Sequence, residues 1–512
     1  MNVYAFPKQL KDYALQPNAY DMKYYITTPL YYVNDQPHIG HAYTTIAADA
    51  IARYKRLKGI DVFFLTGTDE HGQKIEREAQ KRGIPAQALA NQMMEKYKSL
   101  WQLLSISYTD FIRTTDDRHK KAATHLFTIL YDKGDIYKGR YEGPYCTPCE
   151  TFVKERICPD CGRPCEIISE ETYFFRLSKY RDQLLSYIQE NPNFILPSYR
   201  KNEMINLIGE ELIDLSITRS TFSWGIPVPI AGQKDVMYVW FEALVNYLTG
   251  VGYPDDKEVF ERYWPADLHL VGKDILRFHT IIWPVMLIAS GLTPPKRVFG
   301  HGWWTINEEK MSKSKGNVID PFEIIDEFGA DGFRYFLLRE IAFGLDGDFS
   351  RKALIHRLNS DLANDLGNLL GRVMKMVVTY TGGMVPERAD GEHLRDIALN
   401  IVSEIEAEIS EIRFQGYLEK VWALVRSANK YVDQKKPWTL KGDSLNPVLY
   451  NLLESIRMLS IFLFPIIPNL SVKMANCLGL DEKDLSLIDL KWGGLSPGTR
   501  IKYSAPLFMR IA

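Results

Sequence analysis

From Lys23 to about Arg118 the chain alternates short apolar runs with longer stretches in which apolar residues recur every three or four positions. Tyr24–Thr28 and Val62–Thr66 read as strands, Tyr43–Leu57 and Ala86–Leu104 as amphipathic helices. Strands separated by helical crossovers pair in parallel, so this segment predicts a parallel sheet with covering helices. Residues 119–230 break the rhythm with a cysteine-rich loop, short strands and aromatic-rich polar segments, as an insertion would. Alternation resumes with a strand over Asp235–Trp240, a helix over Phe241–Leu248, a strand over Asp267–Val271, a helix over Ile275–Ser290 and a strand over Arg297–Gly300. A nucleotide-binding sheet split by an insertion accounts for this pattern, with ligands expected at the carboxyl ends of strands where the strand order reverses. Beyond Ser350 strand signals nearly vanish, and 351–380, 395–414, 416–433 and 446–480 carry the helical period of a bundle, broken first at Gly382, Gly383 and Pro386.

At 512 residues, 46% hydrophobic and 12% aromatic, the chain is long enough for several domains with large cores and falls in the soluble globular class. Its longest apolar stretches, Thr280–Leu292 and Leu459–Leu470, are too short to span a bilayer and contain Pro284, Pro465 and Pro468, so no membrane partner is expected. Lysine and arginine number 62 against 64 acidic residues, so any RNA surface must be a local patch. Residues 1–21 hold two lysines, no arginine and no apolar core of signal-peptide length, and read as an N-terminal extension.

Four of the six cysteines lie between Cys146 and Cys161, a spacing unsuited to a disulfide scaffold and suited to a metal in a cytoplasmic protein. Cys146-Thr147-Pro148-Cys149 and Cys158-Pro159-Asp160-Cys161 are two C-x2-C pairs eight residues apart. Each tight turn directs two thiolates inward, so Cys146, Cys149, Cys158 and Cys161 are expected to hold one structural zinc. The bland alternative is four buried reduced thiols. Cys165 is a fifth candidate behind Arg163-Pro164, and Cys477 reads as a core residue.

Two short signatures stand about 270 residues apart. His38-Ile39-Gly40-His41 falls between a strand and a helix start, where Gly40 admits close backbone approach and two imidazoles can donate to phosphate oxygens. Lys310-Met311-Ser312-Lys313-Ser314 sets two ammonium groups three residues apart in a polar loop that can clamp a triphosphate. Each alone reads equally as a capped turn or a solvated basic loop. Together, in this order, they read as an ATP site.

With Thr28-Pro29-Leu30-Tyr31-Tyr32-Val33-Asn34, Gly67-Thr68-Asp69-Glu70-His71-Gly72 and Tyr238-Val239-Trp240-Phe241-Glu242-Ala243, these signatures resemble class I aminoacyl-tRNA synthetases, and among them the methionyl-tRNA synthetase family. The resemblance runs from about Met22 through the helical region. It implies an α/β fold: a Rossmann-type parallel sheet split by a zinc-containing insertion and followed by an all-α anticodon-binding bundle. The division is then an extension 1–21, the first half of the catalytic domain 22–118, a connective insertion 119–230, the second half 231–308, the lysine loop and stem-contact region 309–350, and the bundle 351–512. The resemblance also implies a ligase that activates methionine with ATP and Mg²⁺ and transfers it to tRNA(Met), initiator tRNA included. His38, Gly40, His41, Lys310, Ser312 and Lys313 would bind ATP, with the two histidines and two lysines catalytic.

Neither chemical step requires a protein nucleophile, and none is evident; the work is positioning and neutralisation of charge on phosphate. Methionine selection must satisfy an ammonium group and a flexible thioether. Asp69, just past a strand end, can accept the ammonium; the alternative on spacing alone, the weaker of the two, is a helix N-cap. By resemblance Leu30, Trp240, Ala243, Leu244, Tyr247, Ile275 and His279 complete that pocket, although Trp240, Ala243, Leu244 and Tyr247 also have the spacing of simple core packing and His279 that of a satisfied core histidine. Some family members have proline where Leu244 stands. Asn368 and Arg372, one turn apart, and Trp438 after Pro437 match anticodon-reading positions; alone, Trp438 reads as a loop aromatic or a small core plug.

A leucine, isoleucine or valine synthetase would need a larger editing insertion than about 110 residues allow, and a cysteine enzyme would place zinc in the catalytic core. A zinc-ribbon RNA-binding protein would not need the two intact signatures. With no oligonucleotide-binding module expected after the bundle, a monomer is expected.

Overall fold

The computed structural model describes residues 22–34, 36–146, 151–153, 155–158, 162–209, 212–306, 309–310, 319–503 and 506–511. Its centre is a six-stranded sheet. In chain order the strands are β1 (Lys23–Tyr32), β2 (Asp61–Asp69), β3 (Asp110–Arg113), β6 (Ile195–Leu196), β7 (Leu268–Gly272) and β8 (Val298–His301), with the hairpin strands β4 (Ile136–Cys146) and β5 (Glu166–Phe175) elsewhere. The spatial order is β3-β2-β1-β7-β8-β6, and every pairing is parallel. β1 meets β2 on one edge and, at Ile26 opposite Leu268, β7 on the other, so the strand order reverses beside β1. Between Thr27 and Leu30 the β1–β2 register shifts, where Pro29 has no N–H to give the ladder. That shift opens the carboxyl end of β1.

Alternation along β1 assigns the two faces. Tyr24 and Ile26 enter a core shared with α1 (Ile39–Leu57), α3 (Ala86–Leu103) and the C-terminal helices; Tyr25 enters a second core with α4 (Asp117–Asp132), residues 239–251 and the helix Trp283–Ser290. The bundle comprises Arg351–Thr381, Glu392–Ser410, Phe414–Lys435, Asn446–Leu463 and Pro468–Cys477; the first three lie close to expectation, whereas the expected helix 446–480 is two helices, broken between Leu463 and Pro468 where Pro465 and Pro468 interrupt the ladder. Its first helix widens into π geometry over Leu358–Gly367.

Two polar seams join the bundle side to α1. The guanidinium of Arg334, fully buried, donates to the carbonyls of Leu104, Pro465 and Ile466 and pairs with Asp49 of α1 at 2.7 Å. Glu406 accepts from Tyr54 Oη at 2.8 Å and pairs with Lys55 at 3.3 Å and with Lys58.

The segment expected as an insertion also serves the sheet, where Ile195–Leu196 adds an edge strand beside β8. Two further expectations are corrected. The segment 235–240 is not a strand of that sheet: Val236–Met237 pairs antiparallel with Thr218–Arg219, and a helix starts at Val239. The expected single helix 275–290 is a 3₁₀ turn, a π turn over Phe278–Ile282 and an α-helix from Trp283. Pro284 explains the last difference, since its ring would crowd the carbonyl of Thr280 in an unbroken α-helix and a wider turn relieves this.

Among the described residues no helix is long and apolar enough to cross a membrane.

Candidate functional site

The site lies at the carboxyl edge of the sheet, where β1, β2 and β7 end. A cavity of about 260 Å³ is lined by Leu30 and Tyr32 of β1, Asp69 and Lys74, the run from Val239 to Tyr247, and Asp274–His279. All eight positions expected to form the amino-acid pocket, Leu30, Asp69, Trp240, Ala243, Leu244, Tyr247, Ile275 and His279, are therefore gathered in one cavity from four separated segments.

Asp69 is the last residue of β2, and Val33 donates its N–H to the Asp69 carbonyl at 3.1 Å. It is not a helix cap: α2 (Gln73–Arg82) starts after Gly72 and has no side-chain cap. Asp69 is only 9% exposed and lines a cavity that also carries the charged residues Lys74, Asp274 and Arg277; a carboxylate so placed is a cation acceptor by its chemistry.

The far wall is aromatic and rigid. Trp240 stacks on Phe278 with centroids 3.9 Å apart. His279 lies 2.9 Å from the Ile275 carbonyl through Nδ1 and 2.7 Å from Tyr247 Oη through Nε2. Burial pushes its pKa down to about 4, against the opposing pull of that carbonyl, so the ring is neutral. A neutral ring with a carbonyl at Nδ1 carries its proton there, so Nε2 accepts from the Tyr247 hydroxyl. Behind, His269 stacks on Tyr247 at 4.2 Å and receives the Trp283 N–H at 3.3 Å. His279 is thus a satisfied histidine and a lining residue at once.

The first signature forms the start of α1. Gly40 donates its N–H to His38 Nδ1 and His38 its N–H to His41 Nδ1, both at 3.1 Å, a reciprocal cap with the two rings stacked at 3.8 Å. Because both Nδ1 atoms accept, the neutral rings carry their protons on Nε2, as N–H donors. A Cβ on Gly40 would stand 2.9 Å from His38 Cε1, so any other residue would displace that ring.

Of the second signature, the backbone of Lys310 pairs with Thr305 in a short strand; its side chain, and Ser312 and Lys313 entirely, lie outside the described residues. Cys149 and Cys161 lie outside them too. Cys146 and Cys158 are buried, the latter although Glu155, Arg156, Ile157, Arg163 and Pro164, which flank it in sequence, are exposed. The Cys158 N–H donates to Arg163 O at 2.9 Å, and the Gly162 N–H, at φ +68°, donates to Cys158 O at 2.8 Å. Among the described residues no three potential metal ligands gather.

In the bundle Asn368 and Arg372 occupy the helix Asn368–Thr381, and Arg372 donates to Asp433 at 2.8 Å. Asp433 belongs to the helix whose end leads into the Pro437–Thr439 turn, where Trp438 is 51% exposed. The exposure rules out the core-plug reading.

Lys74, Asp274 and Phe278 line the cavity without having been singled out in the sequence. Phe278 stands three residues after Ile275, a spacing that could have found it; Lys74 has no such signal.

The family model described as "tRNA synthetases class I (M)" matches residues 24–167 and 161–374. The chain is 52% identical over 503 residues to a methionine–tRNA ligase of Caldanaerobacter subterraneus subsp. tengcongensis, covering 95% of this chain and 79% of the relative. It is 47% identical over 507 residues to the methionine–tRNA ligase of Thermotoga maritima, covering 96% and 80%. The solved structure of Mycobacterium tuberculosis methionyl-tRNA synthetase in complex with methionyl-adenylate superposes with a TM-score of 0.92 at 41% identity, covering 96% of this chain and all of that one. With a matching family model, long relatives near half identity and the same fold throughout, the chain belongs to the class I tRNA synthetases, in their methionine–tRNA ligase family.

Proposed function

We propose that the chain acts as a methionine–tRNA ligase: it joins the methionine carboxylate to the α-phosphorus of ATP, releases pyrophosphate, and passes the methionyl group to a terminal ribose hydroxyl of tRNA(Met), initiator tRNA included. The observation that carries this reading is the cavity itself, whose lining combines the Asp69 carboxylate at the end of β2 with the stacked aromatic pair Trp240 and Phe278. Asp69 accepts the substrate ammonium, Leu30 holds it through its backbone, and Trp240, Ala243, Leu244, Tyr247, Ile275 and His279 enclose the thioether. The Nε2–H groups of His38 and His41 donate to phosphate oxygens, Gly40 and Ser312 line the ATP, and Lys310 and Lys313 neutralise the departing pyrophosphate, with Mg²⁺ accompanying ATP. Methionine-dependent ATP–pyrophosphate exchange tests the reading. Exchange should appear with methionine and not with leucine, isoleucine, valine or cysteine; equal exchange with leucine would sink it.

Cys146, Cys149, Cys158 and Cys161 would hold a structural zinc. Two thiols buried within an exposed, polar hairpin fit that role, because a metal gives them a reason to be withdrawn that no apolar core supplies. Metal analysis should give one equivalent, lost in Cys158→Ser and kept in Cys165→Ser; full tight occupancy in Cys158→Ser contradicts the ligand set. Thiolates kept for a metal also fit a cytoplasmic location.

Asn368, Arg372 and Trp438 would read the anticodon, Trp438 by stacking. Trp438→Ala should leave pyrophosphate exchange intact and lower tRNA charging by roughly 1–3 kcal/mol, with little further loss on a tRNA altered in its CAU anticodon. An equal fall in exchange would instead make Trp438 a structural residue.

A further inference from the structure

Behind the cavity lies a polar cluster that substrate contact does not explain. Glu242 is fully buried, and each of its oxygens meets a different imidazole: His71 Nδ1 donates to Oε1 at 2.9 Å and His119 Nε2 to Oε2 at 2.8 Å, with neither histidine more than 4% exposed. The three residues come from the loop after β2, from α4 and from the pocket helix Val239–Ala243. Burial alone would raise the Glu242 carboxyl; the two imidazoles hold it below its usual range, so it stays an anion. A buried carboxylate with both oxygens engaged fixes its partners tightly, because losing either leaves charge unsolvated.

The position of this bridge gives it a task. His71 follows Asp69 by two residues, and Glu242 lies between Trp240 and Ala243, so one bridge ties the carboxylate end of the cavity to its apolar wall. The preceding residue is anchored in another direction: Glu70 takes a bidentate pair from Arg113 of β3 at 2.7 and 2.9 Å. That second pair sets the loop against the sheet; it does not set it against the pocket helix.

We propose that Glu242 is a positioning residue for amino-acid selection, clamping His71 and His119 so that the separation between Asp69 and the wall of Trp240, Ala243 and Leu244, and with it the length of side chain accepted, is fixed. The proposal rests on reading this cavity as the methionine pocket.

Methionine-dependent pyrophosphate exchange, run with methionine and with its one-carbon-longer homologue ethionine, tests it. E242A should raise the methionine KM about tenfold or more, leave the ATP KM within about twofold, and shift the kcat/KM ratio toward ethionine. E242Q should stay near the parent enzyme. Its carbonyl can accept from His71, and its amide can donate to His119 Nε2 once that ring moves its proton to Nδ1, which faces Thr249 Oγ1 at 3.4 Å. A folded E242A with unchanged methionine KM and unchanged discrimination overturns the proposal, as does an ATP KM that rises equally. If E242A does not fold, His71→Ala, which leaves Glu242 bound to His119, carries the same comparison. Absence of exchange in the parent enzyme would overturn the reading of the cavity; a normal parent with an indifferent E242A overturns only the role of Glu242.

Discussion

Asp69→Ala should raise the methionine requirement for pyrophosphate exchange by about 10- to 150-fold, the equivalent of the ~1.5–3 kcal/mol carried by a hydrogen bond to a charged group. The loss should fall on methionine and leave the ATP KM nearly unchanged, because the carboxylate stands at the end of β2 beside the amino-acid cavity and not at the start of α1. Asp69→Asn should fall between, since it keeps an acceptor and loses the charge. Unchanged methionine affinity in Asp69→Ala would remove the residue from the site, and an equal loss for both substrates would mean that the cavity itself had collapsed.

The largest stability effect is expected at Arg334. Its substitution by methionine leaves three buried carbonyls without their donor and deprives Asp49 of one of two arginines. Breaking such a buried pair typically costs about 3–5 kcal/mol. Burial by itself would raise the Asp49 carboxyl, but Arg53, Arg334 and the Ser107 donors hold it at about 2. A depressed carboxyl stabilises the fold above its unfolded pKa and stops doing so as pH falls from about 4 toward 2. Urea midpoints at neutral pH should therefore drop strongly in Arg334→Met, and the gap to the parent protein should narrow on acidification through that window. A midpoint unmoved at neutral pH would mean that the carbonyls and Asp49 find other partners. Because the seam joins α1 to the bundle, tRNA charging should suffer more than pyrophosphate exchange.

The elements with long periodic patterns were legible from the residues alone: β1, β2, α1, α3 and the first three bundle helices fall within a few positions of expectation, while the run 446–480 keeps its helical period across a break at Pro465 and Pro468. What escaped was short or ambiguous. Ile195–Leu196 is a two-residue edge strand, too brief for any period to register. Val236–Trp240 is an apolar run that suits a buried strand, yet Trp240, Ala243, Leu244 and Tyr247 already carry the helical spacing, and the helical pattern prevails from Val239. The residues that gather in the cavity were legible because family motifs mark them, whereas the bridge from Glu242 to His71 and His119 was not. Its members are 171 and 123 residues apart in pairs, and nothing in a linear sequence announces that three polar residues will be buried together. Asp69 could be told from a helix cap only once Gly72 was seen to precede α2.

The reciprocal cap at His38 and His41 has a consequence for the rings themselves that follows from economy of nitrogen atoms. Each imidazole has two, and each spends Nδ1 on holding the first turn of α1. An imidazolium would attract phosphate more strongly, but it has no lone pair left to accept an N–H. The rings therefore cannot gain positive charge without releasing the helix start that their Nδ1 atoms hold.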